Sequence, residues 1–443
     1  MTHHTLNDLK NGRLAGLREV KISDGLTEVP REIFDLADTL EILDLSGNQI
    51  KSLPDDFARL SHLKILFLAN NDFTVFPKVL SQCAKLSMIG FKANKISQLP
   101  EYALPKQTRW LILTDNKLTH LPDSIGDLPH LQKLMLAGNQ LAELPLSIAQ
   151  CHALELIRIS ANQLTAFPGA LLGLPKLAWL AFSGNPFCVP FPENDALPTV
   201  SFDDVSRGEI LGAGASGIIT RGDWINAPTT IENPQGPLAV KTFKGAVTSD
   251  GYPRDEFAAS LAAGVQDGLI PILATIISEL EMGLVMELIE ERFSNLGQPP
   301  NLETCTRDVF LKDTVFSPEK VLKMAQSLSR IMVHLRARDI CHGDLYAHNI
   351  LVNEAGDILL GDFGAASHYV SLSHAHAKAL ESIEVRAFGC FLEDILGTMK
   401  LEDCRIDFIT TLKKLSESCL RPNANQRPDF ARLQEQLCAL PVT

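Results

Sequence analysis

The sequence predicts two structures in tandem, an α/β solenoid of short repeated units followed by an α+β domain of a different kind. The first observation is an asparagine on a nearly fixed beat: Asn48, Asn71, Asn94, Asn116, Asn139, Asn162 and Asn185, at intervals of 23, 23, 22, 23, 23 and 23 residues. A period this short and regular means a stack of small identical units rather than one compact core. The second observation is that the beat stops at Asn185. After a stretch rich in proline and polar residues (Pro190, Pro192, Glu193, Asn194, Asp195, Pro198), a sequence of different grammar begins.

Each unit has the form L-x-x-L-x-L-x-x-N, as in Leu40-Glu-Ile-Leu-Asp-Leu-Ser-Gly-Asn48. The leucines at its fourth and sixth positions, such as Leu43 with Leu45 and Leu134 with Leu136, alternate with other residues, so a short strand points them inward. The asparagine then turns the chain. A lone buried amide would cost roughly 1–3 kcal/mol if unpaired, whereas stacked amides can bond neighbouring turns as a ladder. A Leu-Pro or Phe-Pro step follows at Pro54, Pro77, Pro100, Pro122, Pro145 and Pro168, and suits an irregular return on the convex side. This pattern resembles the leucine-rich repeat family over about residues 17–190, with an imperfect first unit and a truncated last one, about eight in all.

The positions between the inward leucines predict a concave apolar stripe: Ile42, Ile65, Phe67, Met88, Trp110, Ile112, Met135, Leu156 and Trp179. An exposed stripe of Trp, Phe, Met and Ile is costly for a monomer and typical of a binding core. Phe67, Trp110, Ile112, Met135 and Trp179 are therefore candidate contacts for a protein partner or for the chain's own second domain. The plainer alternative is that some of them pack along the sheet.

Composition narrows the function. The chain has 443 residues, 45% hydrophobic and 21% charged, enough for two or three full cores. A formal charge of −13 argues against nucleic acid or an anionic membrane as partner. Nine cysteines are scattered without a C-x-x-C pair, which fits free thiols in a reducing compartment. No secretory signal is visible at the N-terminus, and the longest nearly apolar run, about Leu269 to Ile277, is too short to span a bilayer. A cytoplasmic location is expected.

The second half opens with Leu211-Gly-Ala-Gly-Ala-Ser-Gly-Ile-Ile219. Taken alone, G-x-G-x-x-G serves dinucleotide-binding folds as well as other phosphate cradles. Here β-branched residues follow, and then Pro237-Leu-Ala-Val-Lys241, which reads as strand, glycine turn and strand with an embedded lysine. His342-Gly-Asp344-Leu-Tyr-Ala-His-Asn349 precedes an apolar strand, and Gly-Asp362-Phe-Gly364 follows another. This ordered set resembles the eukaryotic-type protein kinase family.

The resemblance implies a bilobal domain over residues 204–443, with lobes at about 204–288 and 289–443, after repeats over 1–192 and a linker over 193–203. It implies ATP and Mg²⁺ as cofactors. The backbone amides near Gly212, Gly214 and Gly217 would cover the phosphates. Lys241 would hold the α- and β-phosphates, steadied by Glu256, with Asp255 the weaker alternative. Asp344 would orient the attacking hydroxyl or accept its proton, and Asn349 and Asp362 would hold magnesium. Ala239 and Met286, the gatekeeper, would border the base, with the backbone of Glu287 and Ile289 reading its edge. Arg427-Pro-Asp-Phe resembles the family's closing arginine motif.

Several positions depart from the family. Gly343 stands where many kinases carry an arginine that receives a phosphorylated activation loop, which argues against that control. Tyr346 replaces the catalytic-loop lysine of serine/threonine kinases, and His348 occupies the place of a tyrosine-kinase arginine and can supply the missing contact. Only 22 residues separate Asp362 from Glu384, the expected start of the central helix, where Glu replaces the usual Asp. A-P-E is absent, with Glu381 the substitute partner for Arg427, and His374 and His376 are expected on a solvated loop rather than a metal. The reading is a protein kinase acting on a protein hydroxyl, Ser/Thr preferred over Tyr, recruited or regulated by its repeats in signalling. The alternatives are an ATP-binding pseudokinase scaffold and a phosphotransferase for a small-molecule hydroxyl. A surface receptor is disfavoured, because only a short linker separates the two halves.

Overall fold

The computed structural model describes residues 2–192, 196–231, 234–278, 281–400 and 406–441. The chain divides into two compact units, Met1–Lys176 with Asn185–Phe187, and Leu177–Gly184 with Cys188–Thr443. Among the described residues no helix is long and apolar enough to cross a membrane.

The first unit begins with a capped helix, α1 (Leu6–Lys10), and continues as a parallel ladder of three-residue strands. These are β1 (Glu19–Lys21), β2 (Ile42–Asp44), β3 (Ile65–Phe67), β4 (Met88–Gly90), β5 (Trp110–Ile112), β6 (Lys133–Met135) and β7 (Leu156–Arg158). Each pairs with the next in unshifted register, so Leu43, Leu66, Ile89, Leu111, Leu134 and Ile157 form one buried row.

Every ladder asparagine is buried. Asn116 shows the pattern: Nδ2 donates to Phe91 O at 2.8 Å and Leu113 O at 3.1 Å, while Oδ1 accepts from Ile96 N at 2.9 Å. The residue before each asparagine (Gly47, Asn70, Ala93, Asp115, Gly138, Ala161, Gly184) has a positive φ, which aims the amide inward. The prolines then start short 3₁₀ turns, as at Asp123–Asp127 after Pro122 and Leu146–Gln150 after Pro145.

The expected apolar stripe is only partly open. A Cβ on Gly90 would lie 2.8 Å from the Phe67 ring and 3.7 Å from Ile112, so these two side chains pack along the sheet over that glycine. Lys133 Nζ sits 4.4 Å from the Trp110 ring centroid. Met135 is buried.

The second unit includes β8 (Trp179–Ala181), which carries the last repeat signature. Residues 193–195 of the expected linker lie outside the described residues. The rest of that stretch is structured: Thr199–Val200 forms β9 and Phe202–Asp204 a capped 3₁₀ turn. A six-stranded sheet follows from β10 (Ile210–Ala213), β11 (Gly217–Gly222), β12 (Leu238–Phe243), β13 (Ile272–Ile277) and β14 (Met282–Glu287), in the order β10-β11-β12-β14-β13-β9. Helix α2 (Pro253–Ala263), started by proline at its first position, packs Phe257 and Leu261 against Phe243 and Leu284 of this sheet.

The remainder is mainly helical. After β15 (Ser294–Asn295) comes α3 (Pro318–Arg336), capped by Ser317. The strands β16 (Ile340–Cys341), β17 (Ile350–Val352), β18 (Ile358–Leu360) and β19 (Ser367–His368) form two small sheets, β15-β17-β18 and β16-β19. Then α4 (His374–Gly397), α5 (Ile406–Cys419) and α6 (Phe430–Cys438) close the core, with Phe388 edge-on to Phe430 at 5.9 Å. The central helix therefore starts at His374, ten positions before Glu384, where sequence placed it. Ser373 is the reason, since its side chain accepts from His376 N and caps the helix.

Candidate active site

A cleft of about 360 Å³ lies between the six-stranded sheet and the β17-β18 hairpin, with Ala239, Met286, Leu351 and Leu360 on its apolar walls. It continues past Lys241, Glu256 and Asp362 into a more polar recess of about 340 Å³ under the glycine turn.

Lys241 sits mid-strand in β12, registered between Ile219 of β11 and Leu284 of β14. It makes a buried ion pair with Glu256, in the first turn of α2. Glu256 Oε2 is buried with no hydrogen-bond partner among the described residues. The three glycines differ in purpose. A Cβ on Gly217 would lie 2.4 Å from Thr242 O, so close strand packing requires that glycine. At Gly212 and Gly214 a Cβ would meet nothing within 4 Å, and their backbone faces open space over the recess.

At the end of β14, the N–H groups of Glu287 and Leu288 are taken by Pro271 O and Pro237 O. Ile289 N–H makes no main-chain hydrogen bond among the described residues. The carbonyl of Glu287 and the N–H of Ile289 are thus the groups suited to read a planar base.

The loop between β16 and β17 brings Asp344 and Asn349 together. Asn349 Nδ2 donates to Asp344 O and Oδ2, both at 2.9 Å. His342 supports the loop: its Nδ1 accepts from Asp344 N at 3.3 Å, while Nε2 bonds Gly361 O at 3.1 Å. Asp362 follows β18 with φ 54° and accepts from Gly364 N at 3.1 Å. Desolvation, reinforced by Glu256, pushes its pKa up, with Lys241 opposing. Asp362 is nonetheless open to the cleft, and a desolvated carboxylate beside further carboxylates, with an open-backed glycine turn opposite, fits a divalent cation carrying phosphates.

Two further residues support the loop, and the first of them, Asp308, has no local sequence signal. Asp308 accepts from His348 N at 3.2 Å and bonds His348 Nδ1 at 2.7 Å. Burial of the ring disfavours its charge, but Asp308, with Asp344 and Asp362 nearby, outweighs that and raises the His348 pKa. Glu384 Oε1, buried in α4, accepts from His342 N at 2.6 Å and Gly343 N at 3.2 Å. The Glu-for-Asp exchange therefore keeps an acceptor under the loop.

Two expectations are corrected, and for Trp179 the structure favours the intramolecular alternative. Glu381 pairs with Arg336 and accepts from Phe430 N, while Arg427 donates to Arg421 O and Ser382 O. His374 and His376 lie in the first turn of α4 rather than on a loop. Trp179 is 2% exposed: its ring stacks on Tyr346 at 4.4 Å and its Nε1 donates to Leu345 O at 3.1 Å. It is not available to an outside partner. Repeat periodicity could not reveal that seat, 166 residues distant in sequence.

Comparison with known proteins agrees with this geometry. The family described as "Protein tyrosine and serine/threonine kinase" matches residues 205–389. "Leucine rich repeat" matches residues 15–73 and 38–96. Fibroblast growth factor receptor 1 of Pleurodeles waltl is 24% identical over 197 residues, covering 42% of this chain and 24% of that protein. Mitogen-activated protein kinase kinase 10 of Arabidopsis thaliana is 23% identical over 197 residues, 44% of this chain and 57% of its own length. Leucine-rich repeat and calponin homology domain-containing protein 1 of Mus musculus is 32% identical over 136 residues, 28% of this chain and 19% of its own. The chain thus spans less than two thirds of each of these relatives.

Proposed function

Because the chain carries leucine-rich repeats and a protein kinase domain, we propose that it transfers the γ-phosphoryl group of ATP to a protein hydroxyl, of Ser or Thr rather than Tyr. The observation that supports this reading is that the Lys241–Glu256 ion pair and Asp362 line one cleft, with the hydrogen-bonded Asp344–Asn349 pair beside Asp362.

Phosphoryl transfer asks a protein chiefly for positioning and charge neutralisation. Ala239 and Met286 border the base, and the backbone of Glu287 and Ile289 reads its edge. Backbone amides at Gly212, Gly214 and Gly217 cover the phosphates. Lys241 neutralises the α- and β-phosphates and is held in place by Glu256. Asn349 and Asp362 would hold magnesium, which would supply charge neutralisation for the transferring phosphoryl group. Asp344 orients the acceptor hydroxyl and takes its proton. His348 is held by Asp308 near the position where Tyr346 replaces the lysine, and Asp308 favours its charged form against burial of the ring.

In the repeats, the half-buried Phe67, Trp110 and Ile112 remain the candidates for recruiting a protein partner, and the buried Met135 does not. Eight cysteines lie among the described residues with no disulfide between any two of them, which suits a reducing, cytoplasmic setting. One observation favours a second reading. Helix α4 begins only twelve positions after Asp362, which leaves little chain to grip a peptide, so a small-molecule hydroxyl is the alternative acceptor. Full-length protein incubated with labelled ATP, magnesium and a cell extract separates the two. Label in protein, on phosphoserine or phosphothreonine, is the expected result. Label only in the small-molecule fraction supports the second reading, and nucleotide binding without transfer rejects both.

A further inference from the structure

The segment Leu177–Gly184 packs within the second unit against the three parts of a kinase site that must be aligned for transfer. At the catalytic loop, Trp179 stacks on Tyr346 with an interplanar angle of 6°, and its Nε1–H is bound by Leu345 O. After Asp362-Phe-Gly364, Phe182 N donates to Ser367 Oγ at 3.0 Å in β19. At the start of α2, the backbone of Gly184 lies so close that a Cβ there would come within 2.7 Å of Asp255 Oδ2 and 2.8 Å of the Tyr252 ring. Asp255 immediately precedes Glu256, the partner of Lys241.

The same segment adds a second obstruction, besides Ala365 O and the positive φ, to any side chain in place of the glycine beside Asp344. A Cβ on Gly343 would lie 2.7 Å from Leu180 O and 2.6 Å from Ala365 O, and the residue has φ 72°. An arginine at position 343 and the segment at 180 exclude each other sterically. With the segment in place, the Lys241–Glu256 pair is closed and the Asp344–Asn349 hydrogen bonds are made. It therefore accompanies an assembled site, not a disrupted one.

We infer that Leu177–Gly184 is a built-in activator of the transfer site, and that Trp179 is its positioning residue, holding Tyr346 and through it Asp344. It does by permanent packing what a phosphorylated loop clamped by an arginine does elsewhere. The inference rests on the phosphoryl-transfer reading, but its structural part is measurable without turnover.

The test uses full-length protein carrying Trp179→Ala, Trp179→Phe or Ser367→Ala. Trp179→Ala is expected to lower kcat about tenfold or more through misplaced reacting groups, with the KM for ATP changed less than about twofold. Amide hydrogen exchange at 343–348 should accelerate. Trp179→Phe keeps a ring on Tyr346 and should recover most of both. Ser367→Ala, a small change that removes the acceptor for Phe182 N and the longer bond from Oγ to Ala365 O at 3.4 Å, should give a weaker loss in the same direction and decides the matter if Trp179→Ala fails to fold. Unchanged kcat and unchanged exchange overturn the inference, and so does a raised kcat, which would make the segment an inhibitor. If the wild type transfers to no acceptor, the functional reading fails. Exchange at 343–348 and over Tyr252–Ala263 then decides: acceleration in the variants supports positioning, and no change rejects it.

Discussion

The asparagine ladder and the catalytic loop both bury polar groups, but they leave them in opposite states. In the ladder, each amide is saturated by main-chain partners, and the same set of bonds returns one unit on, as Asn94 with Leu68 O, Phe91 O and Phe73 N shows. In the cleft, carboxylates are gathered instead. Desolvation in the cleft raises the pKa of Asp362, although its side chain stays open to solvent, and Glu256 keeps one buried oxygen with no hydrogen-bond partner among the described residues. Saturated polar groups hold shape, and removing one costs stability. Under-saturated charges cost stability while they wait, and their worth appears when a ligand brings the missing charge.

The comparison breaks most sharply at Asp344. Asp344→Asn should lower turnover by about 10²–10⁴-fold, the range for loss of a general base. Asn349 can still donate to the new amide oxygen and to the main chain, so the melting temperature should move little. A loss of folding equal to the loss of activity would place Asp344 with the ladder residues.

Lys241 sharpens it, because there the two states meet in one pair. Lys241→Met removes the phosphate contact and leaves Glu256 as a buried charge, so both nucleotide affinity and stability should fall. Breaking a buried pair on one side typically costs about 3–5 kcal/mol. Replacing both residues, Lys241→Met with Glu256→Leu, should restore most of the stability and none of the nucleotide affinity. Calorimetry of folding and of ATP binding on the same samples separates the two effects.

On the other side of the comparison, Asn116→Ala should cost about 1–3 kcal/mol, chiefly because Ile96 N–H is left buried without an acceptor. Urea unfolding reports the loss. Turnover per folded molecule should stay at the wild-type value, and a drop in kcat would show that ladder and site are coupled.

What sequence disclosed follows the same division. The ladder is legible because one local pattern writes each rung, and the site's charged residues are legible because each sits in a short motif: Lys241 in a strand, Asp344 and Asn349 five positions apart, Asp362 before Phe-Gly. What escaped are partnerships across long separations. Asp308 carries no local mark, yet it holds His348. Trp179 has the periodicity of a concave-face residue, and that periodicity says which way a strand residue points, not which loop meets it. Glu381 was assigned to Arg427 by analogy, while Arg336, at the end of α3, reaches it first. The helix start at His374 was missed because the motif around Glu384 marks the middle of α4, whereas the capping signal is the single Ser373.

The smallest expected effect is at Glu384, which resembles a ladder residue in its bonds and a site residue in its charge. Burial pushes its pKa up to about 7, although the N–H groups of Gly343 and His342 pull it down. A carboxyl raised above its ordinary 4.5 holds a proton in the folded chain that the unfolded chain has released. Its contribution to stability is then complete below about pH 4.5 and is lost as pH rises towards about 7. Glu384→Gln keeps an oxygen for both N–H donors and removes the titration. Between pH 5 and 7 the unfolding free energy of the variant should gain on the wild type by at most about 1.4 kcal/mol per pH unit, and the gap should be constant above that. Turnover at neutral pH should change little, because the loop keeps its acceptor. A gap that stays flat from pH 5 to 8 would mean that two backbone donors suffice to hold a buried charge under the catalytic loop, as they hold a neutral amide in every rung of the ladder.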